Sequence, residues 1–230
     1  TYEVGIYRQA DNTQLFPVKL VTGILSRVSF PLFSSASHDR HKLKRWVRLS
    51  VRSVMLISAP MMVGLGVLAK PIVELVFGPR WLPMVPILQV LCFVGFLWPL
   101  HVINLNVLQA QGHSKLDFRL QIVKKVSGIL FLTIGCFFGV MGVAWSRVVQ
   151  SFFALMINGH YSKTMLDYGM YDQIKDYMSS LLLSIAMAVV VVFCDAVIEF
   201  EGIAELSILI FIGASFYLAA NILLGVPAFK

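Results

Sequence analysis

The chain has 230 residues, of which 58% are hydrophobic and only 13% charged, and its mean hydropathy is +0.80. An ordinary soluble domain is about 25% charged, so this composition excludes a soluble globular protein and defines a polytopic membrane protein. The net charge of +7 does not point to nucleic acid, because the cations crowd short loops between apolar runs, where Lys and Arg set membrane topology.

Gly5–Phe33 is long and apolar enough for a helix at membrane depth, yet it carries Arg8, Asp11, Asn12, Gln14, Lys19 and Arg27. On a helical wheel Arg8, Asp11, Asn12, Lys19, Thr22 and Ser26 share one sector, and Phe16, Val21, Ile24, Leu25 and Val28 fall outside it. A charge at mid-bilayer costs about 2.5–3.5 kcal/mol even on the gentlest scale, so this face is expected to point at a bundle interior or a water-filled cavity. The expectation is a cationic lumen lining.

Pro31 and the Ser/His/Asp residues after it end this first span, and Arg40, Lys42, Lys44, Arg45 and Arg48 read as a basic loop. The second span is Leu49–Ala69, with Pro60 able to kink it. Lys70–Pro83 (KPIVELVFGPRWLP) predicts a short helix at the membrane surface, with Pro71 in the first turn, Gly78 as C-terminal cap, Pro79 beyond it and Trp81 as interfacial anchor. The third span, Met84–Leu108, contains Pro86 and Pro99 and carries His101, Asn104 and Asn106 near its end. These three either extend the cavity or bond headgroups and a neighbouring helix. After the basic turn Ala110–Arg119, Leu120–Phe138 and Val140–Asn158 predict a tight hairpin about Gly139 and Gly142, with Arg147 in its second arm. Arg147 is suited equally to a cavity or an interface. The Gly135–Gly139 G-x-x-x-G is read as hairpin packing rather than a dimerisation face.

Tyr161–Tyr177 reads as a polar, aromatic connecting segment, and Ser179–Ile198 and Leu206–Val226 as the last two spans, separated by Glu199, Glu201 and Glu205. The fold class is therefore all-α, a transmembrane bundle of about seven spans. The domain division is a lobe over 1–165 followed by a linker and a final helical hairpin over 166–230. Cys92, Cys136 and Cys194 are odd in number, lie in apolar runs and form no CxxC, so they read as core hydrophobes. A lone His without further ligands at ligand spacing is no metal site, and no cofactor or catalytic group is expected.

The positive-inside rule fixes an orientation. Arg40, Lys42, Lys44, Arg45, Arg48, Lys115, Arg119, Lys163, Lys175 and Lys230 fall on one side, and Lys70 and Arg80 on the other. The richer side is expected to be cytoplasmic, which places the N-terminus of the chain outside and the C-terminus inside. With no initiator Met and a span starting almost at once, the chain is expected to be a piece of a longer protein whose missing part lies upstream.

Several ordered motifs now carry a resemblance: G-x-Y-x-x-A at Gly5, Tyr7 and Ala10; V-S-F-P at Val28–Pro31; L-K-R at Leu43–Arg45; the A-P step at Ala59–Pro60; AKPIVELVFGPRW at Ala69–Trp81; LQVL at Leu88–Leu91; and AQGHSKLD at Ala110–Asp117. Over about residues 1–165 the chain resembles polysaccharide-export flippases of the multidrug/oligosaccharidyl-lipid/polysaccharide (MOP) superfamily, closest to the Wzx-type branch. The last two spans match by hydropathy alone. The resemblance implies two helical lobes around a central cavity, of which this chain is the C-terminal lobe lacking its first helix. It implies a bacterial inner-membrane location, and as partners the lipid bilayer, an N-terminal lobe of the same parent chain and polysaccharide polymerase machinery, with no nucleic acid.

The implied substrate is a polyprenyl-diphosphate-linked glycan. Its anionic diphosphate requires a wet cationic route, and Arg grips phosphate bidentately where Lys acts as a point charge. Arg8 and Lys19 are the first choices for the diphosphate, with Asn12 and Gln14 as hydrogen-bond partners and Arg147 and Arg27 behind them. Arg27 lies near a helix end, where it can snorkel. Asp11 either pairs with Arg8 or serves ion coupling. Two other classes remain: a multidrug or cation exporter, whose cavity is expected to carry carboxylates, and a membrane-embedded glycan ligase or polymerase, which needs large catalytic loops.

Overall fold

A computed structural model describes residues 2–197 and 202–224. Among these the chain is helical, with α1 (Tyr2–Ser35), α2 (Arg40–Val67), a short α3 (Ala69–Phe77), a 3-10 turn (Pro79–Met84), α4 (Val85–Ala110), α5 (Ser114–Cys136), α6 (Gly139–Leu166), α7 (Met170–Val197) and α8 (Ile203–Leu224). Six helices are long and apolar enough to cross a membrane. The seventh long helix, α5, has the length too, about 34 Å at 1.5 Å per residue, but carries Arg119, Lys124 and Lys125. The all-α bundle of about seven spans thus stands as read from the sequence. Of the acidic patch, Glu199 and Glu201 lie outside the described residues, as does Lys230.

α4 is apolar on every side and buries the most residues, from Ile87 to Leu108, as a helix must when it has neighbours all round. α1, α2 and α6 pack against it. α1 presents Ile6, Ala10, Gln14, Val18, Leu25, Ser29 and Phe33, a stripe at spacings of four and seven that marks one helical face. Gly95 of α4 lets α1 come close, because a Cβ there meets Gln14 Oε1 at 2.6 Å and Val18 Cγ2 at 3.2 Å.

Three boundaries differ from the sequence reading; of the basic turn Ala110–Arg119 only Gln111–His113 lie outside helix, because α5 begins at Ser114. The basic stretch Arg40–Arg48 is not a loop but the first turns of α2, started by Asp39, whose carboxylate accepts the Lys42 N–H at 3.0 Å. Leu43, Val47 and Val51 then bury one face of the same turns that hold the cations outward. Tyr161–Tyr177 is not a connector either. α6 continues to Leu166 and α7 begins at Met170, leaving only Asp167–Gly169 between them, with Asp167 in the left-handed region at φ 52°. The α3 segment ends as expected at Gly78, φ 85°, with Pro79 beyond it. The α5–α6 hairpin is as tight as its glycines suggest, since a Cβ on Gly135 comes within 2.7 Å of the Gly142 carbonyl oxygen.

Candidate functional site

The tightness of the α5–α6 hairpin at one end contrasts with a cleft of about 440 Å³ further along, walled by α4, α5 and α6. α4 contributes Val94, Trp98, His101, Val102 and Leu105; α5 contributes Gln121, Lys124 and Lys125; α6 contributes Arg147, Gln150, Ser151, Ala154 and Asn158. On α5 the three polar residues at 121, 124 and 125 share a face at helical spacing. Lys124 lies ten residues from Ser114 and twelve from Cys136, about 15–18 Å from either helix end. That is too deep for its stem to reach a membrane surface.

The cleft wall is hydrogen-bonded across helices. Asn158 Nδ2 lies 3.2 Å from His101 Nδ1, and His101 Nε2 lies 2.9 Å from Ser151 Oγ. With the amide donating to Nδ1, the proton sits on Nε2 and is donated to Ser151, so this imidazole is held neutral. Gln150 Nε2 donates to the Lys124 carbonyl at 3.3 Å, in space left by the absent side chain of Gly128. Among the described residues three cations line the cleft and no carboxylate does. Among the described residues none of the three forms an ion pair.

The residues singled out from the sequence scatter around this cleft. Arg8, Asn12 and Lys19 are exposed on α1, on a flank beside its packed stripe, and Asp11 is half-buried there. Arg8 and Asp11 do not pair among the described residues; Asp11 Oδ1 instead accepts Gln14 Nε2 at 3.3 Å. Gln14 itself is 1% exposed. It lies within the packing of α1 on α4 rather than on the polar flank. Arg27 is exposed near the far end of α1, and Arg147 is half-buried in the cleft wall. α1 also meets α6, through Tyr7 in the same apolar cluster as Val140, Met141 and Ala144. Lys124 and Lys125 were missed, although two lysines mid-way along an apolar run are a signal in their own right. Asn104 faces away from the cleft and exchanges amide hydrogen bonds of 3.1 and 2.9 Å with Gln173 of α7. Of the two readings open for it, the bond to a neighbouring helix is the one observed.

A second set of charges sits at the end of the bundle where α1 joins α2 and α6 joins α7. Asp176 of α7, its side chain 1% exposed, accepts from Arg48 Nε at 2.7 Å, Arg52 Nε at 3.0 Å and the Tyr168 hydroxyl at 2.9 Å. Burial, reinforced by the Asp176 charge, pushes the Tyr168 phenol well up, so it stays a donor. Lys44 Nζ donates to the Asp167 carbonyl at 2.6 Å and lies 3.4 Å from its carboxylate. Arg48 and Arg52 tie α2 to α7, and Lys44 ties it to the α6–α7 turn, so these cations are not purely topogenic.

The described residues thus form a helical membrane bundle with a polar flank on its first helix and a cationic cleft walled by α4, α5 and α6. The structure overlays "Lipid II flippase MurJ, inward closed conformation" with a TM-score of 0.77, at 20% identity, covering 96% of this chain and 47% of that one. In sequence, residues 1–86 match the family described as "Polysaccharide biosynthesis protein". A membrane protein in the cps region of Klebsiella pneumoniae is 27% identical over 94% of this chain and 45% of its own length. The lipopolysaccharide biosynthesis protein WzxC of Escherichia coli is 31% identical over 57% of this chain and 27% of its own. The teichuronic acid biosynthesis protein TuaB of Bacillus subtilis is 34% identical over 50% and 24%. The chain therefore spans less than half the length of the relatives it matches. By sequence the chain is similar to part of these polysaccharide-biosynthesis membrane proteins, and in fold to about half of the MurJ structure.

Proposed function

We propose that the protein carrying this chain moves a polyprenyl-diphosphate-linked oligosaccharide, a repeat unit of an exopolysaccharide or O-antigen, from the cytoplasmic to the periplasmic leaflet of the bacterial inner membrane. The mechanism is alternating access between this lobe and an N-terminal lobe, with product passing to polymerase machinery. The observation that carries the reading is the α1 flank, where Arg8, Asn12 and Lys19 stay exposed beside the stripe that packs on α4. Exposed cations at membrane depth need water or an anionic ligand, and a diphosphate is the anion that a flipped lipid-linked glycan brings. A cation exporter fits less well, since the mid-membrane charges of α1, α5 and α6 are mostly positive. Asp11, whose carboxylate among the described residues accepts from Gln14, is the group we assign to ion coupling.

In this reading the ends of the bundle rich in Lys and Arg face the cytoplasm. A cysteine introduced at Arg45 is then labelled only after the inner membrane is permeabilised, and one at Arg80 is labelled from the periplasm. The transport test is glycan export by the full-length protein. Arg8→Ala and Lys19→Ala abolish export at normal abundance, and Lys19→Arg keeps most of it. Normal export by both alanine variants overturns the assignment of the α1 flank.

A further inference from the structure

The cations of the α4–α5–α6 cleft are not those of the α1 flank. Lys124, Lys125 and Arg147 converge at mid-span on one volume of about 440 Å³, and among the described residues no carboxylate pairs with any of them. The nearest acid along α5, Asp117, is already engaged by Gln109 Nε2 at 3.1 Å and Gln121 Nε2 at 3.4 Å. Lys124 and Arg147 are half-buried and Lys125 is exposed. Three like charges lining one volume repel one another, and an anion bound among them relieves that repulsion. His101 adds no charge, because its hydrogen bonds to Asn158 and Ser151 hold the neutral ring. The remaining wall mixes the amides of Gln121, Gln150 and Asn158 with an apolar strip from α4, Val94, Val102 and Leu105, beside Trp98, which is 40% exposed, and the volume lies in the range of small-molecule sites.

We propose that this cleft is a second binding site, for the phosphoryl headgroup of a lipid, with Lys124, Lys125 and Arg147 on the phosphoryl oxygens and the hydrocarbon along the Trp98 side. An arginine fork and two ammonium points suit a group with several anionic oxygens better than a single carboxylate. Two sources share this chemistry, an isoprenoid diphosphate and an anionic phospholipid. The first rests on the transport reading above and makes the cleft a waiting or release position within one lobe; the second makes it a seat for a resident lipid.

The test is protection of a cysteine inside the cleft, read on the full-length protein in phosphatidylcholine nanodiscs. Ala154→Cys is introduced after replacement of the native cysteines, and its labelling by a small maleimide is followed with increasing farnesyl diphosphate or, separately, cardiolipin. Protection by farnesyl diphosphate alone assigns the isoprenoid source, and protection by cardiolipin alone the phospholipid source. In either case Lys124→Met with Lys125→Met raises the half-protecting concentration about tenfold or more. Lys124→Arg with Lys125→Arg holds it within about threefold, and Lys44→Ala, at the α6–α7 turn, leaves it unchanged. No protection by either lipid, or protection indifferent to the methionine pair, overturns the proposal. Because cleft protection is read apart from export, its loss leaves the assignment of the α1 flank standing, and failure of that assignment leaves a cardiolipin result intact.

Discussion

The charges at the α2–α7 end and those along α1, α5 and α6 behave in opposite ways. Around Asp176 two arginines and a tyrosine hydroxyl satisfy one buried carboxylate, whereas Arg8, Lys19, Lys124, Lys125 and Arg147 have no ion-pair partner among the described residues. A buried ion that has been paired belongs to the fold, and breaking the pair leaves its partner uncompensated. A cation left free at membrane depth is a cost that folding does not recover, so its use lies in what it meets during function. The comparison sorts the cations of one chain into two groups by partner, not by residue type.

The largest effect on stability is expected at Asp176. Asp176→Ala strands two guanidinium groups and the Tyr168 hydroxyl, and lowers the unfolding free energy by about 3 kcal/mol, seen as a lower melting temperature of the purified protein. A smaller loss, about 2 kcal/mol, is expected for Asn104→Leu, which orphans the Gln173 amide; adding Gln173→Leu recovers much of it in a double-mutant cycle, because the two amides satisfy each other. Gly135→Ala costs a similar amount, about 1–2 kcal/mol, through overpacking against the Gly142 backbone. Lys44→Ala costs at most about 0.5 kcal/mol, since its partner Asp167 is 77% exposed. At the foot of the scale, Arg8→Ala and Lys19→Ala leave the melting temperature unchanged or slightly raised. A fall there comparable with that of Asp176→Ala would erase the distinction between the two groups.

The spans, the α5–α6 hairpin and the Gly78 stop were legible because hydropathy, glycine and proline act locally. The start of α2 was not, since five cations within nine residues outweighed the quieter pattern of Asp39 followed by Leu43, Val47 and Val51 at four-residue spacing. The partner of Arg48 lies 128 residues away, and nothing local announces such a pair. Gln14 could have been separated from the lumen-facing residues, because Ala10, Gln14 and Val18 already form an i, i+4 row on the packed face. The cleft was hidden for a different reason: its cations come from α5 and α6, and only tertiary packing brings them to the same volume.

The central claim is that the exposed cations of α1 act on the transported anion and the paired cations of α2 hold the fold. Glycan export per unit of membrane-inserted protein, measured side by side for Lys19→Ala and Arg52→Ala in the full-length protein, tests it most directly. The expected result is loss of specific export at unchanged abundance for Lys19→Ala, and reduced abundance with specific export largely kept for Arg52→Ala. Full specific export by Lys19→Ala, or loss of the protein itself in that variant, contradicts the account.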